Sequence, residues 1–373
     1  MKKRVIAFAA AAAAVILAAQ TAFASQTMYV KGDKVNYRTK PSTDSEVAGQ
    51  VYKGDGVVVL ETVEGQNGEW VKTKSGYYIK KDLLSESAPA SSGSGASAGN
   101  SAGNSGVSAS AGTINQTADE VPAGVTVENV GLSSGMRFAE FSKINSGTAI
   151  LYRNTNGAHG DIVVCVNAGH GTRGGGSVKT LSHPDGTGKV TGGSNPNGAV
   201  YSTAVSSGME FADGTDEHVI TLREAKLLRA KLLARGYSVL MIREESDVQL
   251  DNIARTVLAN NYANCHVAIH WDSSTSDKGA FYMSVPDGLK YLDPVSSTWQ
   301  KSEAFGEALI GGLRGRGVKI FGSGSMDMDL TQTSYSSVPS VDIELGDKVS
   351  DHSSAALDNL AEGLADGIEA YFN

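Results

Sequence analysis

The stretch Ile162-Val-Val-Cys-Val-Asn-Ala-Gly-His170-Gly-Thr-Arg-Gly-Gly175 constrains this chain more than any other. A run of β-branched residues ends abruptly in a histidine flanked by glycines. A continuous apolar run of this kind reads as a strand buried on both faces of a sheet, delivering an imidazole at its end. Ligands of open α/β sheets gather at the carboxyl ends of strands, so His170 stands where chemistry is done.

From residue 161 onward, strand and helix signals alternate. Strand-like runs cover 162–167, 238–242, 265–270, 279–285 and 338–345. Val219, Leu222, Leu227, Leu228, Leu232 and Leu233 recur at helical spacing and predict a helix over 217–235, stopped by Gly236. Further helices are expected at about 249–263, 299–314 and 353–371. This alternation predicts an α/β domain over 161–373, a mixed, mostly parallel sheet flanked by helices on both faces.

The chain begins with the three-part pattern of a secretory signal peptide over residues 1–24: basic Met1-Lys-Lys-Arg4, an apolar run from Val5 to about Ala19, and Ala22-Phe-Ala24 as cleavage site. No later segment has the length to span a membrane, so a secreted or cell-wall protein is expected. Loss of Lys2, Lys3 and Arg4 makes the formal net charge of −8 more negative by three, which gives no electrostatic case for nucleic acid. Cys165 and Cys265 each lie five residues before a histidine. A bridge requires neighbouring strands with converging Cβ vectors; two buried free thiols are the expected state.

Residues 27–84 alternate short apolar stretches with turn clusters such as Lys53-Gly-Asp-Gly56, which predicts a small all-β barrel ahead of the α/β domain. From Ser85 to Gly112 the chain is almost entirely Ser, Gly, Ala and Asn, the composition of a flexible tether. Residues 113–160, with strand candidates at 125–130 and 148–152, are assigned to an extension of the main domain.

Four residues stand at predicted element ends: His170, Glu217 at a helix entry, His270 closing Val267-Ala-Ile-His270, and Glu344 closing Ser340-Val-Asp-Ile-Glu344. Two imidazoles and a carboxylate, with water in the fourth position, form a catalytic zinc shell. A further acid outside the shell is what metal-assisted hydrolysis needs to move protons. Glycine-rich residues 171–213 lie between the first two of these and contain rivals, His183 and Glu210. Glu217 is preferred because only it has the right offset to the following helix. Because both ends of this insert are pinned near the proposed ligands, it is expected to form a rim or lid without a core of its own. His218 is expected at the surface, His266 too deep for the metal, and His159 and His352 in loops. Arg243 and Arg255 are expected to pair with acids at helix ends.

The pieces Ala168-Gly-His-Gly171, Glu217 with Leu222, Gly236-Tyr-Ser-Val-Leu-Met-Ile-Arg243, Leu250 with Arg255, Ala268-Ile-His-Trp271 and Val338-Pro-Ser-Val-Asp-Ile-Glu-Leu-Gly346 resemble the zinc-dependent N-acetylmuramoyl-L-alanine amidases, which cleave bacterial cell walls. The resemblance implies that His170, Glu217 and His270 hold Zn2+, that Glu344 is the catalytic carboxylate, and that peptidoglycan is the substrate. It departs at the long insert, at Asp272 where the family often has Asn, and at Asp347 where it usually has Phe. Val35-Asn-Tyr-Arg-Thr-Lys-Pro-Ser42, Val47-Ala-Gly-Gln-Val-Tyr-Lys-Gly54 and Glu69-Trp-Val-Lys72 resemble the bacterial Src-homology-3-like domain, which implies wall binding. A peptidase or deacetylase acting on another wall amide, and a non-catalytic wall-binding protein, are the alternative readings of the same residues.

Overall fold

The computed structural model describes residues 26–32, 35–51, 56–73, 76–86 and 121–373. The expected signal peptide lies outside them, as does the tether from residue 87 onward. The first segments form one seven-stranded antiparallel sheet from β1 (Gln26–Val30), β2 (Val35–Arg38), β3 (Val47–Val51), β4 (Gly56–Gly65), β5 (Gly68–Thr73), β6 (Tyr78–Lys80) and β7 (Leu84–Ser85). Met28, Val30, Val35, Val57, Val59, Val71, Ile79 and Leu84 form its apolar core. This small all-β module has the architecture its alternating pattern predicts.

Residues 121–373 build an eight-stranded mixed sheet. Its strands are β8 (Val125–Gly131), β9 (Thr148–Asn154), β10 (His159–Ala168), β13 (Tyr237–Met241), β14 (Cys265–Asp272), β15 (Ala280–Ser284), β16 (Ile320–Asp327) and β17 (Ser340–Asp347), while β11 (Lys179–Leu181) and β12 (Tyr201–Thr203) form a separate hairpin. The order is β16-β15-β17-β14-β10-β13-β9-β8, and the central strands β17, β14, β10 and β13 run parallel. Of those four, β10, β13 and β14 carry consecutive apolar residues, as burial on both faces requires. Antiparallel β9 and β8 close one edge, so the stretch at 125–154 completes the main sheet.

Helices α1 (Glu217–Ala234), α3 (Trp299–Gly315) and α5 (Ser354–Phe372) pack with the sheet into the main core, which includes Leu228, Leu232, Phe305, Leu309, Leu364 and Ile368. Helix α2 (Asn252–Tyr262) covers the other face over Cys165, Leu240 and Leu258. It starts on buried Asp251, whose carboxylate accepts from Ala254 N at 2.8 Å and also from the Lys143 and Ile144 amides. A short α4 (Thr331–Tyr335) leads into β17.

Strands β10 and β14 are direct neighbours, but Val164 is the residue paired with Cys265. Cys165 therefore points to the opposite sheet face, since side chains alternate along a strand. Both thiols are buried and free. His159, expected in a loop, begins β10 and stacks on Tyr237 at 4.7 Å.

Helix α1 also buries Glu224 completely, with neither carboxylate oxygen hydrogen-bonded. Burial pushes this carboxyl well above the ordinary range; Asp358 pushes the same way and Lys231 opposes. A carboxyl whose pKa is higher folded than unfolded favours folding below the unfolded value, about 4.3, and that contribution is lost as pH rises through the folded value. Glu224→Gln should therefore melt higher than the parent at pH 8, with the difference closing towards pH 4. Thermal melts across that range check this; parallel pH profiles for the two proteins would contradict it.

Candidate active site

Strand β10 ends at Ala168, and the chain then turns sharply through Gly169 and His170. His170 has a φ of 61°, the left-handed region that a side chain other than glycine rarely occupies. The turn is held by two buried arginines. Arg243 donates to Ala168 O, Gly169 O and His218 O, while Arg255 donates to Ala168 O and His170 O and to Asn167 Oδ1. The pairing with acids at helix ends expected for them is not what is found: their partners are chiefly the carbonyls of the turn. Burial holds Arg243 down to about 9 and Arg255 down to about 10, both still protonated at neutral pH.

Three side chains converge at the end of the sheet. His170 Nε2 lies 2.9 Å from Glu217 Oε2 and 3.0 Å from His270 Nδ1, and His270 Nδ1 lies 3.1 Å from Glu217 Oε1. Tetrahedral zinc with bonds of 2.0–2.1 Å separates its ligand atoms by roughly 3.3 Å. The two imidazole nitrogens and the two oxygens of the one carboxylate are thus nearly at ligand spacing, and lone-pair donors at such distances require a cation or a proton among them. Burial opposes charge on His270, but Asp342, Glu217 and Glu344 hold its pKa up to about 10. Burial likewise opposes charge on Glu217, yet hydrogen bonding to the two histidines keeps its carboxyl well below the usual range. Glu217 also accepts from Trp271 N at 3.0 Å.

The insert reaches into this centre. Ser206 O lies 2.8 Å from His170 Nδ1, which fixes the proton there and leaves Nε2 free to ligate. Met209 N donates to Glu217 Oε2 at 2.9 Å. Between them Gly208, at a φ of +87°, lies flat against the ligands; a Cβ would come within 2.8 Å of the His170 ring. Farther out, the insert forms the hairpin β11–β12, and among the described residues no apolar cluster is confined to it. The interior is polar: buried Ser182 and Ser202 share a 2.7 Å hydrogen bond. Buried Asp329, outside the insert, accepts from His183 Nε2 at 2.9 Å, Lys189 Nζ at 3.1 Å and Val190 N at 2.7 Å. His183, the rival ligand, thus serves to fasten the insert, and Glu210 is exposed.

A cleft of about 460 Å³ opens beside His170, Glu217 and His270, walled by insert residues such as Gly193 and Asn195 and by Trp271, Met328 and Gln332. Glu344 lines it, beside His270 in the β14–β17 pairing. Its Oε2 is buried with no hydrogen-bond partner, and burial together with Asp342 pushes its carboxyl well above the ordinary range, against the pull of His270. Asp342, which the sequence analysis did not single out, lines the same cleft. Alternation along the strand puts it on the face that carries Glu344, the signal that could have found it. His266 is fully buried against Asn167 and Ser340, His218 is half-buried where a surface position was expected, and His352 is in a loop against Phe211. Two of the departures from the family pattern, Asp347 and Asp272, tie down the loop after β14. Asp347 accepts from Lys278 N at 2.7 Å, and Asp272 pairs with Lys278 Nζ at 2.9 Å.

The fold is a helix-flanked mixed sheet with a polar cleft at the carboxyl ends of its parallel strands. The N-acetylmuramoyl-L-alanine amidase family model matches residues 164–370, more than half of the chain, and the bacterial SH3 domain model matches residues 33–85. The chain belongs to the N-acetylmuramoyl-L-alanine amidases, hydrolases of peptidoglycan. Solved structures similar to it include the amidase Ami1 of Mycobacterium smegmatis, at 20% identity and a TM-score of 0.48 over 58% of this chain and 98% of that one. AmiC2 of Nostoc punctiforme is similar at 19% identity and a TM-score of 0.41, over 58% and 99% of the two chains. An amidase of Clostridium difficile 630 is similar at 18% identity and a TM-score of 0.41, over 57% and 96%. No curated protein gives a significant match.

Two substitutions probe how the site is held. A Cβ on Gly169 would come within 2.3 Å of the His270 ring. Gly169→Ala should therefore displace the His270 ring and lower the affinity of this candidate metal site for added zinc by at least about tenfold, the scale of a disturbed ligand environment, with the fold intact; zinc titration alongside thermal melting checks it. Asp329→Ala leaves Lys189 buried without its counter-charge and should cost about 3–5 kcal/mol, the usual cost of breaking a buried ion pair. Denaturant unfolding measures that loss.

Proposed function

We propose that this chain hydrolyses the amide between the lactyl group of N-acetylmuramic acid and L-alanine in a zinc-dependent reaction, with His170 Nε2, Glu217 and His270 Nδ1 as ligands and Glu344 as the proton carrier. The observation that carries the reading is the convergence of three potential ligand side chains beside a cleft where Glu344 holds one buried carboxyl oxygen without a hydrogen-bond partner. The donor set of two imidazoles and one carboxylate suits a catalytic zinc site. Zinc bound there supplies Lewis-acid polarisation of the carbonyl and acidifies water.

The residues of the chain do the rest. Ser206 O keeps the His170 proton on Nδ1, and the Met209 and Trp271 amides fix the Glu217 carboxylate. Glu344 takes the proton from the attacking water and passes it to the departing nitrogen. A carbon–oxygen bond forms, the carbon–nitrogen bond breaks, and the products are the lactyl carboxylate and the free amine of L-alanine. A carboxyl raised by burial suits both halves of this transfer. The insert forms a fixed rim, fastened at Asp329 and at the ligands. We further propose that the SH3 module at 27–84 holds the enzyme on the wall, that 85–112 tethers it to the catalytic domain at 161–373 extended by 113–160, and that residues 1–24 direct export, so the enzyme acts outside the cell. Tethering raises the local concentration of polymeric substrate.

Mutation should separate the two acidic roles. Glu217→Ala should lose zinc and turnover together. Glu344→Gln should retain zinc and melting temperature while the rate falls by about 10²–10⁴, the contribution of a positioned acid/base group. Zinc stoichiometry, melts and mass spectrometry of muropeptides test this on the same preparations. Parent-rate turnover by Glu344→Gln removes Glu344 from the mechanism, and release of acetate in place of an L-alanine amine replaces the amidase by a deacetylase.

A further inference from the structure

Asp342 stands on the cleft face of β17, while its strand neighbours Val341 and Ile343 pack into the main core on the other face. A carboxylate there carries a desolvation cost that sheet packing does not offset. Among the described residues, its charged partner within 4.0 Å is His270: Oδ2 lies 3.6 Å from Nε2, with the Asp342 side chain 14% exposed. The strand register explains the placement. Parallel pairing sets Asp342 beside Ala268 and Glu344 beside His270, so the Asp342 side chain lies on the face of His270 and one step deeper in the cleft.

The two imidazoles face opposite requirements. Each neutral ring carries one N–H, and the nitrogen that ligates must be the other one. His170 ligates through Nε2 and donates Nδ1–H to a neutral carbonyl, Ser206 O. His270 turns Nδ1 to the ligand cluster, so its proton belongs on Nε2, and the group facing Nε2 is an anion. At 3.6 Å the contact is an ion-pair distance; closing by about half an ångström makes it a hydrogen bond. A carboxylate behind a ligating imidazole fixes the tautomer and strengthens the ring as a donor.

We infer that Asp342 is a positioning residue that holds His270 in the Nε2–H tautomer with Nδ1 presented to the metal, a role that rests on the zinc reading above. Its test is zinc affinity by chelator competition, with the melting temperature of the metal-free protein read alongside. Asp342→Leu should weaken zinc binding by about 10–100-fold, the range for loss of such a partner, without lowering the metal-free melting temperature. Asp342→Asn, nearly identical in shape, retains an accepting oxygen and should lose less affinity. Should the leucine variant fail to fold, the asparagine variant carries the test: zinc affinity equal to that of the parent overturns the proposal. His270→Ala is the control. If it binds zinc as the parent does, the metal reading itself fails, whereas zinc lost in His270→Ala but kept in both Asp342 variants removes Asp342 alone.

Discussion

Everything at the carboxyl end of the sheet depends on how Arg243 and Arg255 treat the turn after β10. The chain leaves a buried strand there, and its carbonyls would be stranded without donors, a loss of about 1–3 kcal/mol for each. Two guanidinium groups, each with five N–H donors, supply them from below. The cost is two cations in the interior with carbonyl dipoles as their main partners. In return His170 is kept in a left-handed backbone conformation, which points its ring back over the sheet towards His270.

The parallel strands and long helices were legible because their periodicities are strong: 162–167 and 265–270 are apolar at consecutive positions, and the leucines of 217–235 repeat at helical spacing. Strand β16 was not, because Ile320-Phe-Gly-Ser-Gly-Ser lacks the β-branched run that marks its neighbours. The hairpin of the insert escaped notice for a related reason, since serine, threonine and histidine pair through hydrogen bonds there and leave no apolar pattern to read. The residues His170, Glu217, His270 and Glu344 could be picked out by their places at element ends. Asp342 was hidden by its surroundings, one of three acids in a strand whose chemistry Glu344 already accounted for. Arg243 and Arg255 were recognised as architectural, but sequence alone pointed to acids as their partners, since backbone acceptors carry no signature in the side-chain code.

The two imidazoles are supported in unlike ways. His170 rests on a neutral carbonyl from a segment outside the sheet, and His270 faces an anion from within it. Unequal support of this kind lets one ring be tuned through loop conformation and the other through strand composition. The buried network at Asp329 adds rigidity to the loop contribution, because it fastens the same segment at a second point.

Residues 206–209 close on His170 and Glu217, the proposed metal ligands, while residues 189–195 of the same insert wall the cleft. Cleft shape and ligand geometry are therefore properties of one covalent segment. Change in the insert is channelled by that linkage: substitutions along the hairpin reach the cleft wall through Lys189 and Thr203, whereas the returning Ser-Ser-Gly-Met has to keep its path. A loop exchanged wholesale between two chains of this architecture would bring with it a different hold on the His170 and Glu217 side chains, so a new cleft wall would arrive together with a new geometry of the proposed metal site.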